Sequence, residues 1–379
     1  IDMLARINPK MKLEERKLFY YNQLRYWDFI IEKEQINLFL SDNIPHDGFD
    51  YIIFLICKYR KIQTIMFHEL PTRPYKHMSM HATDNIEQIG KNIYEKFIDY
   101  KSNSKSYSGK LSKRLLDYYE EMQEEGSDIE QFTQKQKRKN LFRETIDLFS
   151  RNYQSLIENM HIDINLAKKR EIRWYIIAID ILKVNVKKIF PFLRRILFFF
   201  LYNTKIYLSE YDYYKRLCTQ NIDLNKKFIY FALHYQPELS TSPLAKEFTN
   251  QLLITKTISE SLPDDVYLYI KEHPRISYNR NRNFYDKMIS MKNVVFCDPN
   301  ISTYKLIDKS VAVATATGSV GWEAFLRSKP VLMFGYRFYQ YAPNVFRVFN
   351  TADCTKALKE ILNKTILINK EEILLYLEA

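Results

Sequence analysis

Side chains able to meet phosphate and move protons are concentrated in three stretches: His234-Tyr-Gln-Pro-Glu238, Lys271-Glu-His-Pro274 and Thr315-Ala-Thr-Gly-Ser-Val-Gly-Trp-Glu323. The last has the most explicit physics. Gly318 and Gly321 are two of only seven glycines in 379 residues, where average usage gives about 27, so each is expected to have a backbone reason. Gly318 lets the chain turn and come close to a ligand, and Ser319 is placed to cap the helix that follows. A helix start offers unpaired N–H groups and a positive dipole end, which together make an anion site. Glu323, one turn on, is placed to accept hydrogen bonds from ribose hydroxyls. The bland alternative is an ordinary strand–helix turn with a capping serine. In the second stretch Pro274 removes a donor and ends a strand, holding His273 at the rim. An imidazole there can donate to a phosphate, with Lys271 or Arg275 adding charge.

The amino-terminal third offers a second set of groups: His46 and Asp47 in the loop Ser41–Gly48, and His68 and Glu69 after the next apolar run. Either His46 or Asp47 can act as an acid/base group. Asp47 can equally orient the histidine or cap the helix from Phe49. The spacing does not separate these roles.

The elements that must position these residues are legible from periodicity. Residues 18–30 read as a helix, 36–40 as a strand, 49–59 as a helix and 63–67 as a strand, which is half of a parallel α/β sheet. From Lys226 the pattern becomes regular. Strands are predicted at 228–234, 266–271, 293–297, 311–315 and 330–334, with helices at 246–262, 283–291, 302–309 and 319–328 between them. Short β-rich runs alternating with helices argue for a doubly wound parallel sheet. In such sheets ligands bind beyond the carboxyl ends of the strands, where all three stretches fall. Two more helices follow from Thr351. The expected division is an amino-terminal α/β domain over 1–221 with a helical insertion at about 100–220, a Rossmann-like domain over 222–350, and helices over 351–379.

The chain is 46% hydrophobic and 27% charged, which suits a globular protein and excludes a disordered chain or a disulfide-stapled miniprotein. Its four cysteines form no C-x-x-C pair, so we expect reduced thiols, no structural zinc and a cytoplasmic setting. The net charge is +12, and residues 131–220 hold 18 Lys and Arg against 8 Asp and Glu. Within them, 187–202 joins four cations to a dense aromatic run, the composition of a buried helix with solvated ends or of a contact with an anionic membrane surface. No motif for nucleic acid accompanies the charge. No run of 18 apolar residues exists, so the protein is expected to be soluble, or peripheral at the inner face of the cytoplasmic membrane.

The run HYQPELS…DDVYLYIKEHP…NVVFCDPN…VATATGSVGWEAFLRSKPVLMFG, over about 230–340, resembles the bacterial capsular-polysaccharide biosynthesis proteins, and Asn43–Asp50 more weakly resembles their amino-terminal loop. These are glycosyltransferases of the GT-B type, with two Rossmann-like domains and a cleft between them; better-known members transfer Kdo from CMP-Kdo. The resemblance implies that His273 and Pro274 belong to the nucleotide-phosphate site, that Gln236 and Glu238 line the cleft, and that Thr317, Gly318, Ser319 and Glu323 hold the nucleotide. It further implies a nucleotide-sugar donor, favouring a CMP-sugar, and a glycan or glycolipid acceptor. With no D-x-D triplet at a strand end, we expect no metal and no other cofactor. Two alternatives are a CDP-polyol phosphotransferase of the teichoic-acid type and a non-catalytic scaffold in capsule assembly.

Overall fold

The computed structural model describes residues 11–69, 80–102, 113–124, 212–273, 280–363 and 369–379. The chain forms two compact units, one of residues 1–127 with 214–379 and the other of 128–213. The expected amino-terminal sheet and Rossmann-like sheet therefore share one unit. The basic stretch 131–220 lies almost wholly outside the described residues, as do the aromatic run 187–202, Pro274 and Arg275 entirely.

The first sheet begins with α1 (Leu13–Lys33), β1 (Leu38–Ser41), α2 (Gly48–Tyr59) and β2 (Gln63–Glu69), within a few residues of the predicted elements. β1 and β2 pair in parallel. A third strand, β3 (Met80–Thr83), which periodicity did not predict, pairs antiparallel to β2. The apolar face of α2 puts Ile52, Ile56 and Cys57 against Ile31 of α1, with Leu24, Trp27 and Phe39 closing the cluster. Arg60, at the end of α2, reaches back to Asp28 at 2.7 Å and Glu32 at 2.9 Å on α1. Two further helices, α3 (Lys91–Ser102) and α4 (Lys113–Glu121), complete the described amino-terminal part.

The second sheet has six parallel strands in the order β6-β5-β4-β7-β8-β9. They are β4 (Lys227–Ala232), β5 (Val266–Lys271), β6 (Val294–Phe296), β7 (Ala312–Thr315), β8 (Val331–Met333) and β9 (Val345–Arg347). The intervening helices are α5 (Gln251–Ser261), α6 (Arg282–Ile289), α7 (Thr303–Lys309) and α8 (Ser319–Leu326). The five predicted strands and four predicted helices are present, and β9 adds an edge. The central strands are apolar throughout because both faces are covered: Phe228, Ile229, Tyr230 and Phe231 are buried in succession, and Phe228 stacks on Tyr269 at 4.2 Å. Two terminal helices, α9 (Thr351–Leu362) and α10 (Lys370–Glu378), close the fold as expected.

Winding runs outward from β4 to β6 on one side and from β7 to β9 on the other. The reversal between β4 and β7 parts the loops at the carboxyl ends of those two strands, where a crevice forms in such sheets. Among the described residues no helix is long and apolar enough to cross a membrane.

Candidate functional site

His234, just past β4, sits at this reversal. Its Nε2 accepts a hydrogen bond from the Thr317 backbone N–H at 3.2 Å and lies 3.1 Å from Thr315 Oγ1. An N–H can only donate, so Nε2 is the unprotonated nitrogen and Nδ1 carries the proton. Nδ1 is buried. Burial, with the charges of His273 and Arg280 adding to it, pushes the imidazole pKa down to about 3. His234 is a neutral acceptor that joins β4 to β7.

The turn after β7 is closed differently from the prediction. Gly318 is the helix cap, in extended backbone, and its N–H is taken by Thr315 Oγ1 at 2.9 Å. Ser319 is the first residue of α8 and is exposed, so it does not cap the helix. A Cβ on Gly318 would stand 3.0 Å from His234 Nε2 and 3.1 Å from Thr315 Oγ1. Its φ of −73° is ordinary; crowding by the imidazole is what favours glycine. Thr317 is buried and its hydroxyl donates to the Ser240 carbonyl, while Ser240 Oγ donates to Glu238 Oε2 at 2.9 Å. Glu323 is buried on α8; burial pushes the neighbouring Tyr118 and Tyr339 phenols up, and the Glu323 charge adds to that.

Two residues with no motif around them organise the rest. The Gln251 carboxamide clamps the His234 backbone, accepting its N–H at 2.8 Å and donating to its carbonyl at 3.1 Å, and also donates to Gln236 Oε1 at 3.1 Å. Arg280 pairs with Glu272 and donates to the His234 carbonyl, linking the ends of β4 and β5. Glu272 also accepts from Tyr285 Oη and from the His273 N–H, each at 2.7 Å. His273 is half-buried, its ring 5.9 Å from that of Tyr235. Gln236, Glu238, His273, Thr317 and Gly318 are thus connected around His234. Lys271, at the end of β5, is buried, and its ammonium bonds Thr303 Oγ1 at 3.0 Å and the Ile301 carbonyl on the β6–α7 loop.

In the amino-terminal loop, His46 Nδ1 donates to the Ile44 carbonyl at 2.8 Å, which leaves Nε2 as the basic nitrogen. Asp47 is exposed at the start of α2 and makes no side-chain cap hydrogen bond, so the capping role is not realised. The neighbouring carboxylate is the anchored one: Asp50 accepts from the His46 N–H at 3.1 Å and its own neighbour Tyr51 N–H at 2.6 Å. Partial burial raises the Asp50 pKa above the usual carboxylate value, and the two backbone bonds offset part of that. His68 is buried within β2. A cavity of about 670 Å³ opens at the carboxyl ends of β1 and β2, with Phe39, Leu40, Phe49, Ile53 and Phe67 as its apolar wall and Ser41, Asp42 and Asp50 as its polar rim. Among the described residues no three His, Cys, Asp or Glu side chains come together as a metal site needs.

Comparison with known proteins bears on this arrangement. Residues 241–342 match the family model described as capsule polysaccharide biosynthesis protein, so the resemblance read from the motifs holds over that segment. No curated protein sequence matches the chain. Among solved structures, a beta Kdo 2,7 transferase, KpsC of Thermosulfurimonas dismutans, is similar over 44% of this chain and 50% of its own, at 18% identity and a TM-score of 0.30. The chain thus spans half the length of that protein. The MnaA–UDP complex of S. aureus is similar over 95% of this chain and 73% of its own, at 12% identity and a TM-score of 0.32. A putative UDP-N-acetylglucosamine 2-epimerase of Listeria monocytogenes gives 11% identity over 95% and 74%, with a TM-score of 0.29.

Proposed function

From the capsule polysaccharide biosynthesis signature over 241–342 we propose that this protein is a metal-independent glycosyltransferase of the GT-B type, building a bacterial surface polysaccharide from a nucleotide-activated sugar. The observation that carries this reading is that the matched segment holds the β7–α8 turn and the Gln251 clamp, both bonded to His234 at the sheet's reversal point. The leaving phosphate sits at the start of α8, at the positive end of the helix dipole, with the Ser319 hydroxyl and His273 as donors. Gln236 and Glu238 line the donor side, and Glu323 anchors the inner face of α8. Lys271, at the end of β5, adds positive charge to this side of the site.

Transfer forms a bond from an acceptor oxygen to the anomeric carbon and breaks that carbon's bond to phosphate oxygen. The acceptor's proton goes to His46 Nε2 or to Asp47, the two groups carried by the amino-terminal loop. The donor we favour is a CMP-sugar such as CMP-Kdo, and the acceptor a glycan or glycolipid, met at the inner face of the cytoplasmic membrane.

A thermal-shift titration with CMP, CDP, UDP and GDP, on wild type and His273→Ala, tests the reading. A nucleotide at 100 times its dissociation constant adds about 2.7 kcal/mol of stability. We expect CMP to stabilise the wild type and to lose most of that effect in the variant. A preference for UDP or GDP would replace the donor, and no response to any nucleotide would overturn the reading.

A further inference from the structure

The cavity at the carboxyl ends of β1 and β2 is absorbed by none of the roles above. Neither His46 nor Asp47 lines it. Its volume of about 670 Å³ falls within the ~300–1,000 Å³ of small-molecule sites. The wall carries three aromatic rings, Phe39, Phe49 and Phe67, and the polar rim carries two carboxylates, Asp42 and Asp50, with no Lys, Arg or His among the described residues that line it. That combination selects by charge and shape. Aromatic faces are negative at their centres and suit the weakly positive C–H face of a sugar ring. Carboxylates accept hydroxyl protons and repel phosphate or carboxylate groups, because like charges brought together out of water are costly.

The Asp50 carboxylate is also held in place, since the His46 and Tyr51 N–H groups each bind one of its oxygens. Each oxygen keeps capacity for a further hydroxyl donor.

We propose that this cavity is a subsite for a neutral pyranose of the acceptor, with its ring against Phe49 and Phe39 and a hydroxyl held by Asp50. The proposal rests on the glycosyltransferase reading and adds to it the acceptor class: an uncharged sugar ring is bound here, and a phosphate-bearing group is not. Asp50 is then a specificity-determining residue that seats the sugar beside the loop carrying His46 and Asp47.

Saturation-transfer NMR reads the subsite without knowledge of the natural acceptor. The probes are methyl β-D-glucopyranoside, methyl β-D-galactopyranoside and, as an anionic control, glycerol 3-phosphate, applied to the full chain and to its Asp50→Asn and Phe49→Ala forms. Phe49 is half exposed, so its truncation leaves the core intact. We expect ring protons of at least one pyranoside to receive saturation, glycerol 3-phosphate to receive none, and binding to weaken about tenfold in Asp50→Asn, the worth of one hydrogen bond to a charged group. Phe49→Ala should weaken it comparably. Absence of pyranoside binding, binding that survives both substitutions, or competition by glycerol 3-phosphate would overturn the proposal. The nucleotide titration on the same samples separates the two claims. A nucleotide response without pyranoside binding sinks only the subsite, whereas no nucleotide response sinks the transferase reading itself.

Discussion

His234 shows how far a single residue can be read before its surroundings are known. Its position at a strand end was visible in the sequence, but its role as a buried neutral acceptor was not, because the partners Thr315 and Thr317 are more than 80 positions away. Gln251 and Arg280 are nearer, 17 and 46 positions from His234, but lie in helical or polar stretches with no motif around them. Ser319 looked like a cap because its type suits one; instead Gly318 is the cap residue, and Thr315 at the end of the preceding strand accepts its N–H. The His234 environment has a measurable consequence. In the unfolded chain the imidazole takes a proton below about pH 6.5, while in the folded chain burial holds its pKa at about 3. Between those values the unfolded state binds the extra proton, so stability present above pH 6.5 is lost as pH falls, by about 1.4 kcal/mol per pH unit. Urea midpoints at pH 7 and pH 5 should show this slope in wild type and a flatter one in His234→Gln, whose carboxamide oxygen can replace Nε2 as acceptor. Equal slopes in the two proteins would refute the neutral buried imidazole.

At the scale of elements, the carboxyl-terminal sheet was the most legible part. Strands buried on both faces are nearly continuous apolar runs, as in Phe228–Phe231, and their spacing by helices announces parallel order. The strands that went unseen, Met80–Thr83 and Val345–Arg347, are short edges whose pairing partners rather than whose pattern define them. What holds neighbouring strand ends in register is also non-local. Glu272 and Arg280 form an ion pair with both side chains almost wholly buried, and Arg280 passes the link on to His234. Removing one member of such a pair strands a charge, which costs about 3–5 kcal/mol, whereas replacing both with neutral groups costs far less. Glu272→Gln and Arg280→Met should each lower the urea midpoint by that measure, and the double variant should recover a good part of it. Single variants within about 1 kcal/mol of wild type would mean that the pair is screened as a surface bridge is.

For the whole molecule, the two sheets are joined by contacts between segments far apart in the chain. The segment between β3 and α3 docks on the carboxyl-terminal part: Gln340 Nε2 donates to the Ile89 carbonyl at 2.7 Å, Tyr341 Oη to the Glu87 carbonyl at 3.2 Å, and Lys246 pairs with Glu87. Tyr376 of α10 reinforces this, its ring 5.6 Å from Phe97 of α3 and its hydroxyl 3.3 Å from the Phe338 carbonyl. Gly90 is the tightest point. Its φ is +82°, and a Cβ there would fall 1.9 Å from the Phe338 carbonyl oxygen, which is backbone and cannot swing aside. Two costs are therefore superimposed at one residue, a left-handed conformation worth about 1–2 kcal/mol for a side-chain-bearing residue and a clash that separates the docked surfaces. They can be told apart, because asparagine tolerates left-handed backbone far better than alanine does. If conformation dominated, Gly90→Asn would behave nearly as wild type while Gly90→Ala would not. The contact with Phe338 predicts instead that both lower the melting temperature by a similar, large step. It also predicts that both expose the stretch around Gly90 to limited proteolysis well below the main unfolding transition, because only there is the amino-terminal sheet prised from its support.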